Sequence, residues 1–127
     1  MKPITLHRAL WLILLISSAL LSACGSGKTG DDVVCTAEAR SSVSLTVLDT
    51  LGLPMRAYDV AYQIDKGATQ NISCNSSGAC AIEYEKSGVF SMTVSKPGFN
   101  STSLDVTVTR DACHVNTQNV TLTLKAF

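Results

Sequence analysis

Beyond Arg40 the sequence alternates apolar with polar residues in six separate runs, and this period of two limits the fold more than any other feature. Successive side chains of a β-strand point to opposite faces, so each run predicts a strand with one apolar and one polar face. The apolar positions are Val43, Leu45 and Val47; Tyr58, Val60, Tyr62 and Ile64; Ile82 and Tyr84; Phe90, Met92 and Val94; Leu104, Val106 and Val108; and Val120, Leu122 and Leu124. The pattern is typical of antiparallel sheets that have one solvated side.

The segments between these runs have the composition of turns. Residues 49–54, 75–78 and 96–98 are rich in Gly, Pro, Asn, Asp and Ser, which favour reversals of the chain. A further short strand is predicted over residues 69–74, and no stretch after residue 23 has a convincing helical period. Seven short strands at this spacing predict an all-β domain over residues 41–127, folded as a seven-stranded antiparallel β-sandwich.

The first 23 residues have a different character and predict an export signal. Lys2 and Arg8 are basic, and residues 9–21 are apolar apart from Ser17 and Ser18. A basic start followed by a short apolar run and small residues is typical of a cleaved signal peptide. The apolar run is shorter than the roughly 20 residues that a membrane-spanning helix needs.

The end of this segment reads Leu21-Ser22-Ala23-Cys24 and is followed by Gly25. It resembles the lipobox of bacterial lipoproteins, in which cleavage leaves the cysteine as the first residue and a diacylglyceryl group is attached to its thiol. The resemblance implies lipidation of Cys24 and a lipid-anchored protein of the bacterial cell envelope. In that family an aspartate after the cysteine favours the inner membrane, so Gly25 favours the outer one. The alternative is an ordinary secretory signal with a chance cysteine.

Residues 24–40 are interpreted as the lipidated cysteine and a flexible tether, because residues 25–32 contain three glycines and no apolar side chain. Of the ten basic residues, the signal removes Lys2 and Arg8, which leaves eight against ten acidic ones. No basic run occurs, and nucleic-acid binding requires clustered Lys and Arg. The expected partners are therefore the membrane, through the lipid on Cys24, and another envelope protein.

The cysteine count supports this interpretation. The chain has five cysteines, an odd number for an exported protein, and lipidation of Cys24 leaves four. Four cysteines allow three connectivities, and the count alone does not choose between them. The short turn at residues 75–79 favours a Cys74–Cys80 bond across a hairpin, and this pairing leaves Cys35 with Cys113.

Four short motifs follow one another in order between Cys35 and Phe127. They are Asp49, Gly52 and Pro54 after the first run; Gly88-Val89-Phe90; Pro97-Gly98-Phe99; and Cys113-His114-Val115 before the run from Val120 to Leu124. Together they resemble the carboxypeptidase regulatory-like domain, a transthyretin-like (prealbumin-like) sandwich related in architecture to Ig-like folds. The resemblance implies a Greek-key sandwich without catalytic residues that serves as an accessory folding, spacing or interaction module.

Two sets of polar residues are candidates for chemistry. His114 adjoins Cys113, but strand neighbours point to opposite faces and a disulfide-bonded thiol is no nucleophile. We therefore expect a surface or edge histidine near the disulfide. Glu83 and Glu85 share one strand face, where acid–base work is the alternative to two solvated, outward-facing glutamates. The sequence predicts no enzyme, no catalytic residue, no cofactor and no metal site.

The expected function is a non-catalytic, membrane-anchored module for envelope structure or protein–protein contact. The alternative is a lipoprotein that binds a small ligand or a carbohydrate. Sugar-binding modules usually present flat aromatic side chains, and here Tyr58, Tyr62, Tyr84 and Phe90 are assigned to core faces. Phe99 and Phe127 are the remaining candidates, and Phe99 is expected to fill its own corner.

Overall fold

The computed structural model describes residues 33–127, so the predicted export signal, Cys24 and the first part of the predicted tether lie outside it. This part of the chain is all-β, as the alternation predicts, and it contains no helix. The seven strands are β1 (Ser41–Leu48), β2 (Tyr58–Ile64), β3 (Gln70–Cys74), β4 (Cys80–Tyr84), β5 (Gly88–Ser95), β6 (Thr102–Val108) and β7 (Gln118–Thr123).

The strands form two sheets. The three-stranded sheet has the order β4-β1-β7, and the four-stranded sheet has the order β3-β2-β5-β6. All neighbours are antiparallel except β1 and β7, which run parallel with Val43 opposite Gln118 and Leu48 opposite Thr123. The prediction of a purely antiparallel sandwich is therefore wrong for this pair. Alternation sets which side chains face inward, but it is compatible with either strand direction.

The core lies between the two sheets. Its largest fully buried side chains include Tyr58, Phe90, Leu45, Ile82 and Met92, which come from β1, β2, β4 and β5. The inward residues of β6 and β7 are half-buried over most of their length, because each of these strands lies at the edge of its sheet. Burying a side chain such as that of Phe90 contributes about 1.5–3 kcal/mol. These contacts provide the frame on which the loops are held.

Tyr84 departs from the predicted alternation. It was assigned to the apolar face with Ile82, but its side chain is 55% exposed while Ile82 is fully buried. The backbone explains the difference, because Glu83 and Glu85 on either side have φ angles of 55° and 54°. Such left-handed residues turn the chain away from an extended course, so side chains stop alternating between two faces.

The two ends of the sandwich carry different loops. β1 runs from one end, here called the base, towards the other, here called the tip. The base comprises residues 33–40 and the loops 65–69, 85–87 and 109–117; the tip comprises the loops 49–57, 75–79 and 96–101 and residues 124–127. Within the described chain no helix is long and apolar enough to cross a membrane.

Candidate functional site

The base attaches the N-terminal arm, residues 33–40, to the domain. The disulfide between Cys35 and Cys113 joins the arm to the loop before β7, with the two Cα atoms 5.2 Å apart. This pair is the one expected from the sequence. The position of this disulfide corrects the prediction for residues 33–40, which were assigned to a flexible tether. The last part of that tether is fixed to the domain.

His114 lies beside this disulfide and is buried, with 8% of its surface exposed. Its Nδ1 atom is 2.8 Å from Oε1 of Glu85, and its Nε2 atom is 3.0 Å from the hydroxyl of Thr36 in the arm. A carboxylate partner makes Nδ1 a donor, so in the neutral ring we assign Nε2 as the acceptor of the Thr36 hydroxyl. The expectation of a surface or edge histidine is therefore wrong, because the arm covers the ring.

Glu85 connects the arm, β4 and the loop before β7. Besides His114, its carboxylate accepts hydrogen bonds from the backbone N–H of Arg40 at 2.8 Å and of Val115 at 3.2 Å. The bond from Arg40 is the main cause that lowers the pKa of Glu85, with His114 and Val115 adding to it against partial desolvation. The carboxylate is consequently held in its ionised form.

Asp111 shapes the loop that carries His114. Its Oδ1 atom accepts hydrogen bonds from the backbone N–H groups of Cys113 and His114, both at 2.8 Å. These two bonds lower the pKa of Asp111, that from His114 first. The sequence predicts a turn at Arg110-Asp111, but not the hydrogen bonds that Asp111 accepts from Cys113 and His114. We call Thr36, Arg40, Glu85, Asp111 and His114 the base network.

The order of hydroxyl, imidazole and carboxylate in the base network resembles a hydrolase triad in composition. Thr36 is nevertheless β-branched and belongs to an arm held by a disulfide. The backbone N–H groups of Cys113 and His114 are already bonded to Asp111, so they do not point towards a developing oxyanion. The geometry is that of a polar clamp that holds the arm against the base.

Glu83 also differs from its expected role as a solvated side chain. Its Oε1 atom accepts a hydrogen bond of 2.6 Å from the hydroxyl of Tyr62, which belongs to the opposite sheet. Burial and this carboxylate raise the pKa of Tyr62 to about 12. Glu83 therefore ties β4 to β2 across the sandwich, whereas Glu85 serves the base network, and neither is simply a solvated, outward-facing glutamate.

The second disulfide joins Cys74 and Cys80, whose Cα atoms are 5.8 Å apart. The pair is the expected one, but the expected hairpin is absent, because β3 and β4 belong to different sheets. The bond therefore connects the two sheets at the tip. A short turn places both cysteines near each other whether the chain stays in one sheet or crosses to the other.

At the tip, a rigid turn after β1 presents two leucines to solvent. Oδ1 of Asp49 accepts hydrogen bonds from the backbone N–H of Leu51 at 2.8 Å and of Leu53 at 2.9 Å. Two backbone bonds between Asp49 and residues 52 and 53 close the same turn. Leu51 is 82% and Leu53 58% exposed. The turn is thus fixed by polar contacts while its apolar side chains point outward.

The outer face of the four-stranded sheet carries a polar hollow of about 280 Å³. Its lining includes Tyr62, Met92 and Leu104, whose side chains face the core. The side chains that the hollow presents to solvent come from the outward-facing residues. The outward residues are Ala61 and Gln63 of β2, Thr69, Ser91 and Thr93 of β5, and Ser103 and Asp105 of β6. A second hollow of about 360 Å³ shares Ser91 and Asp105 and extends to Asp65, Lys66 and Val89.

The aromatic candidates for sugar binding are dispersed. Tyr58, Tyr62 and Phe90 are in the core as predicted, and Tyr84 is exposed near the base. Phe99 packs against the core from its corner, whereas Phe127 is exposed at the tip. Residues 33–127 contain no group of three or more His, Cys, Asp and Glu side chains that could hold a metal ion.

Comparison with known proteins adds no assignment to this geometry. No protein-family model matches the chain. A search of the curated proteins also finds no match. The function must therefore be inferred from the arm, the base network, the tip and the polar hollow themselves.

Proposed function

We propose that the chain is an exported lipoprotein, cleaved before Cys24, lipid-anchored in the bacterial envelope, and that its domain is a non-catalytic module that contacts another envelope protein through its tip. The observation that carries this proposal is the placement of the arm. The arm is fixed at the base by the Cys35–Cys113 disulfide, whereas Leu51 and Leu53 are exposed at the other end.

The dimensions support an outward-facing tip. Strand β1 has eight residues and spans about 26 Å between the two ends. Only eleven residue steps in the sequence separate Cys24 from Cys35, whose disulfide lies at the base. A lipid on Cys24 would place the base towards the headgroups and the leucines away from them. Accordingly, the base serves attachment to the membrane, and the tip serves recognition of the protein partner.

The tip has the properties of a protein-binding surface. Its turn is held by Asp49, so binding costs little conformational entropy in the backbone. Each leucine that becomes fully buried contributes about 1.5–3 kcal/mol. Lys96 stiffens the neighbouring loop by donating to the carbonyl oxygens of Arg56 and Ala57 at 2.6 and 2.8 Å. A partner with an apolar pocket fits this surface best.

The strand arrangement supports a transthyretin-like, Greek-key assignment of the domain. A three-stranded sheet of order β4-β1-β7 packs on a four-stranded sheet of order β3-β2-β5-β6, so the chain repeatedly crosses between sheets. The corner at Pro97-Gly98-Phe99 has the glycine at a φ of 85°, which a side chain would strain. Domains of this architecture commonly act as spacers or interaction modules, which agrees with the proposal.

The anchor and the tip are tested separately. Cys24→Ser should abolish incorporation of a fatty-acid probe and release the protein from membranes, because a thioether-linked lipid requires the thiol. Retention of label by this variant would place the anchor elsewhere. The result concerns compartment alone and leaves the tip to a second experiment.

For the tip, a photo-crosslinking residue replaces Leu51 in cells, with the same residue at Thr121 as a matched control. Thr121 is exposed on β7, on the outer face of the three-stranded sheet. We expect one defined crosslinked protein from position 51, none from position 121, and loss of the crosslink when Leu53→Asp is added. Equal crosslinking from both positions would contradict recognition by the tip.

A further inference from the structure

We propose that the polar hollow on the outer face of the four-stranded sheet binds a neutral saccharide. This site is independent of the tip and of its proposed protein partner. It lies mainly on the faces of β2, β5 and β6, with Thr69 of a base loop at its border, and it includes no residue of the tip. The inference rests on the shape of the hollow, on the polar groups it presents and on the charges it lacks.

The shape follows from the register of three strands. Gln63, Ser91 and Asp105 form one row across β2, β5 and β6, and Ala61, Thr93 and Ser103 form the next. The small side chains of Ala61 and Ser91 leave space for the hollow, and the longer side chains of Gln63 and Asp105 border it. The outer strands of a row are two strand spacings apart, about 10 Å, which accommodates one sugar ring between Gln63 and Asp105.

The polar groups are only partly used by the protein. The Nε2 of Gln63 donates to the Thr69 hydroxyl at 2.8 Å, and within residues 33–127 its side-chain oxygen accepts no hydrogen bond from the protein. Thr93 and Ser103 bond to each other at 2.8 Å. Within residues 33–127, neither the hydroxyl of Ser91 nor the carboxylate of Asp105 has a hydrogen-bond partner in the protein. The row of Gln63, Ser91 and Asp105 therefore offers a ligand three acceptor groups, which are an amide oxygen, a hydroxyl and a carboxylate. The Ser91 hydroxyl is also a donor.

The charges favour a neutral, hydroxyl-rich ligand. An ionised carboxylate binds two neighbouring hydroxyl groups in the geometry that a sugar ring provides. The lining of the hollow contains no Lys or Arg, so a phosphate or carboxylate ligand would meet Asp105 without compensation. Lys66 lies in the adjoining hollow, where it disfavours a cationic ligand. Val89, 41% exposed, offers that hollow an aliphatic contact for the carbon face of a second ring.

The test uses the purified full-length protein with both disulfides formed and labelled with ¹⁵N. Chitotetraose, maltotetraose and cellotetraose are titrated separately, and spermidine serves as a cationic probe. We expect at least one tetrasaccharide to cause saturable shifts of backbone amides in the polar hollow. Because a bond to a charged group is lost, Asp105→Ala should weaken that binding about tenfold.

Ser91→Gln fills the centre of the hollow and should abolish the shifts. Two controls match these variants: Asp59→Ala removes a carboxylate from the same face outside the hollow, and Thr121→Gln makes an outward enlargement on the other sheet. Both should bind as the wild type does. Absence of saturable shifts with every saccharide, shifts located elsewhere, binding of spermidine alone or unchanged binding by Asp105→Ala would each overturn the proposal.

Discussion

Oε1 of Glu85 lies 2.8 Å from Nδ1 of His114, so a carboxylate just beyond β4 holds a buried imidazole from the loop before β7. The same carboxylate accepts the backbone N–H of Arg40, the last residue of the arm. One ionised side chain therefore joins three segments that lie far apart in the sequence. The arm, with its disulfide, closes over the ring from the other side.

Glu85 should make stability depend on pH. Because its pKa is lowered in the folded protein, its ionised form stabilises the fold above the ordinary value of 4.5, and this stabilisation is lost as the pH falls through the lowered pKa. Glu85→Gln should reduce the free energy of unfolding at neutral pH, with a difference that shrinks below pH 4.5. Urea unfolding across this range measures it. Glu38→Gln in the arm is the control, and a pH-independent difference would contradict the prediction.

The two disulfides should contribute unequally. Their cysteines are separated by 78 and 6 residues, and restriction of the unfolded chain stabilises by about 4.5 and about 2 kcal/mol respectively. The double variant Cys35→Ser/Cys113→Ser should therefore lose more melting temperature than Cys74→Ser/Cys80→Ser. Calorimetry without reductant makes the comparison. The reverse order would mean that the contact between the sheets at the tip outweighs the length of the closed loop.

Asp49 should control the rigidity of the tip. Asp49→Ala removes two hydrogen bonds to backbone N–H groups and should destabilise the domain by about 1–2 kcal/mol. Hydrogen exchange of the Leu51 and Leu53 amides should accelerate more than exchange in the core of β1. Thr50→Ala, an exposed neighbour in the same turn, should change neither measurement. Unaltered exchange at both leucines would show that the backbone bonds alone hold the turn.

Gly88 is expected to resist substitution. Its φ is 137°, and a Cβ atom there would lie 2.6 Å from Oδ2 of Asp65, whose carboxylate accepts the Val89 N–H. Gly88→Ala should therefore destabilise the domain by about 1–3 kcal/mol through backbone strain, with the displaced carboxylate adding to it. Gly78→Ala is the control, since a Cβ there meets nothing within 4 Å. Thermal unfolding of both variants tests this prediction. Equal stability of Gly88→Ala and Gly78→Ala would contradict the close approach of Gly88 to Asp65.

The strands and most of the core were predictable because their signal is local. Residues such as Val43, Leu45 and Val47 alternate with polar neighbours, and burial follows that alternation as long as the backbone stays extended. At Tyr84 the prediction is wrong, since no sequence signal marks Glu83 and Glu85 as left-handed residues. Strand direction and sheet membership depend on distant partners, so the parallel β1–β7 pair and the link between the sheets at Cys74 and Cys80 were not predictable.

The candidate site was predictable only in part. The cysteine pairs followed from counting and from one short turn. The base network was not foreseen, because Thr36 and Glu85 lie 78 and 29 residues from His114 and meet it only after the sheets have formed. The polar hollow likewise depends on the register of three strands. Alternation identified Ser91, Thr93 and Asp105 as outward residues, but it does not show which of them stand side by side.

The parallel pairing of β1 with β7 has a consequence for the order of folding. Strand β1 is first in the chain and β7 is last, yet β1 is the central strand of its sheet and carries Val43, Leu45 and Val47 into the core. Contacts between such distant segments form slowly. The four-stranded sheet uses only β2, β3, β5 and β6, so it can assemble earlier as a platform. Until the final strand is in place, the first one lacks its parallel neighbour, and the partly folded chain exposes apolar surface that must be kept from aggregating.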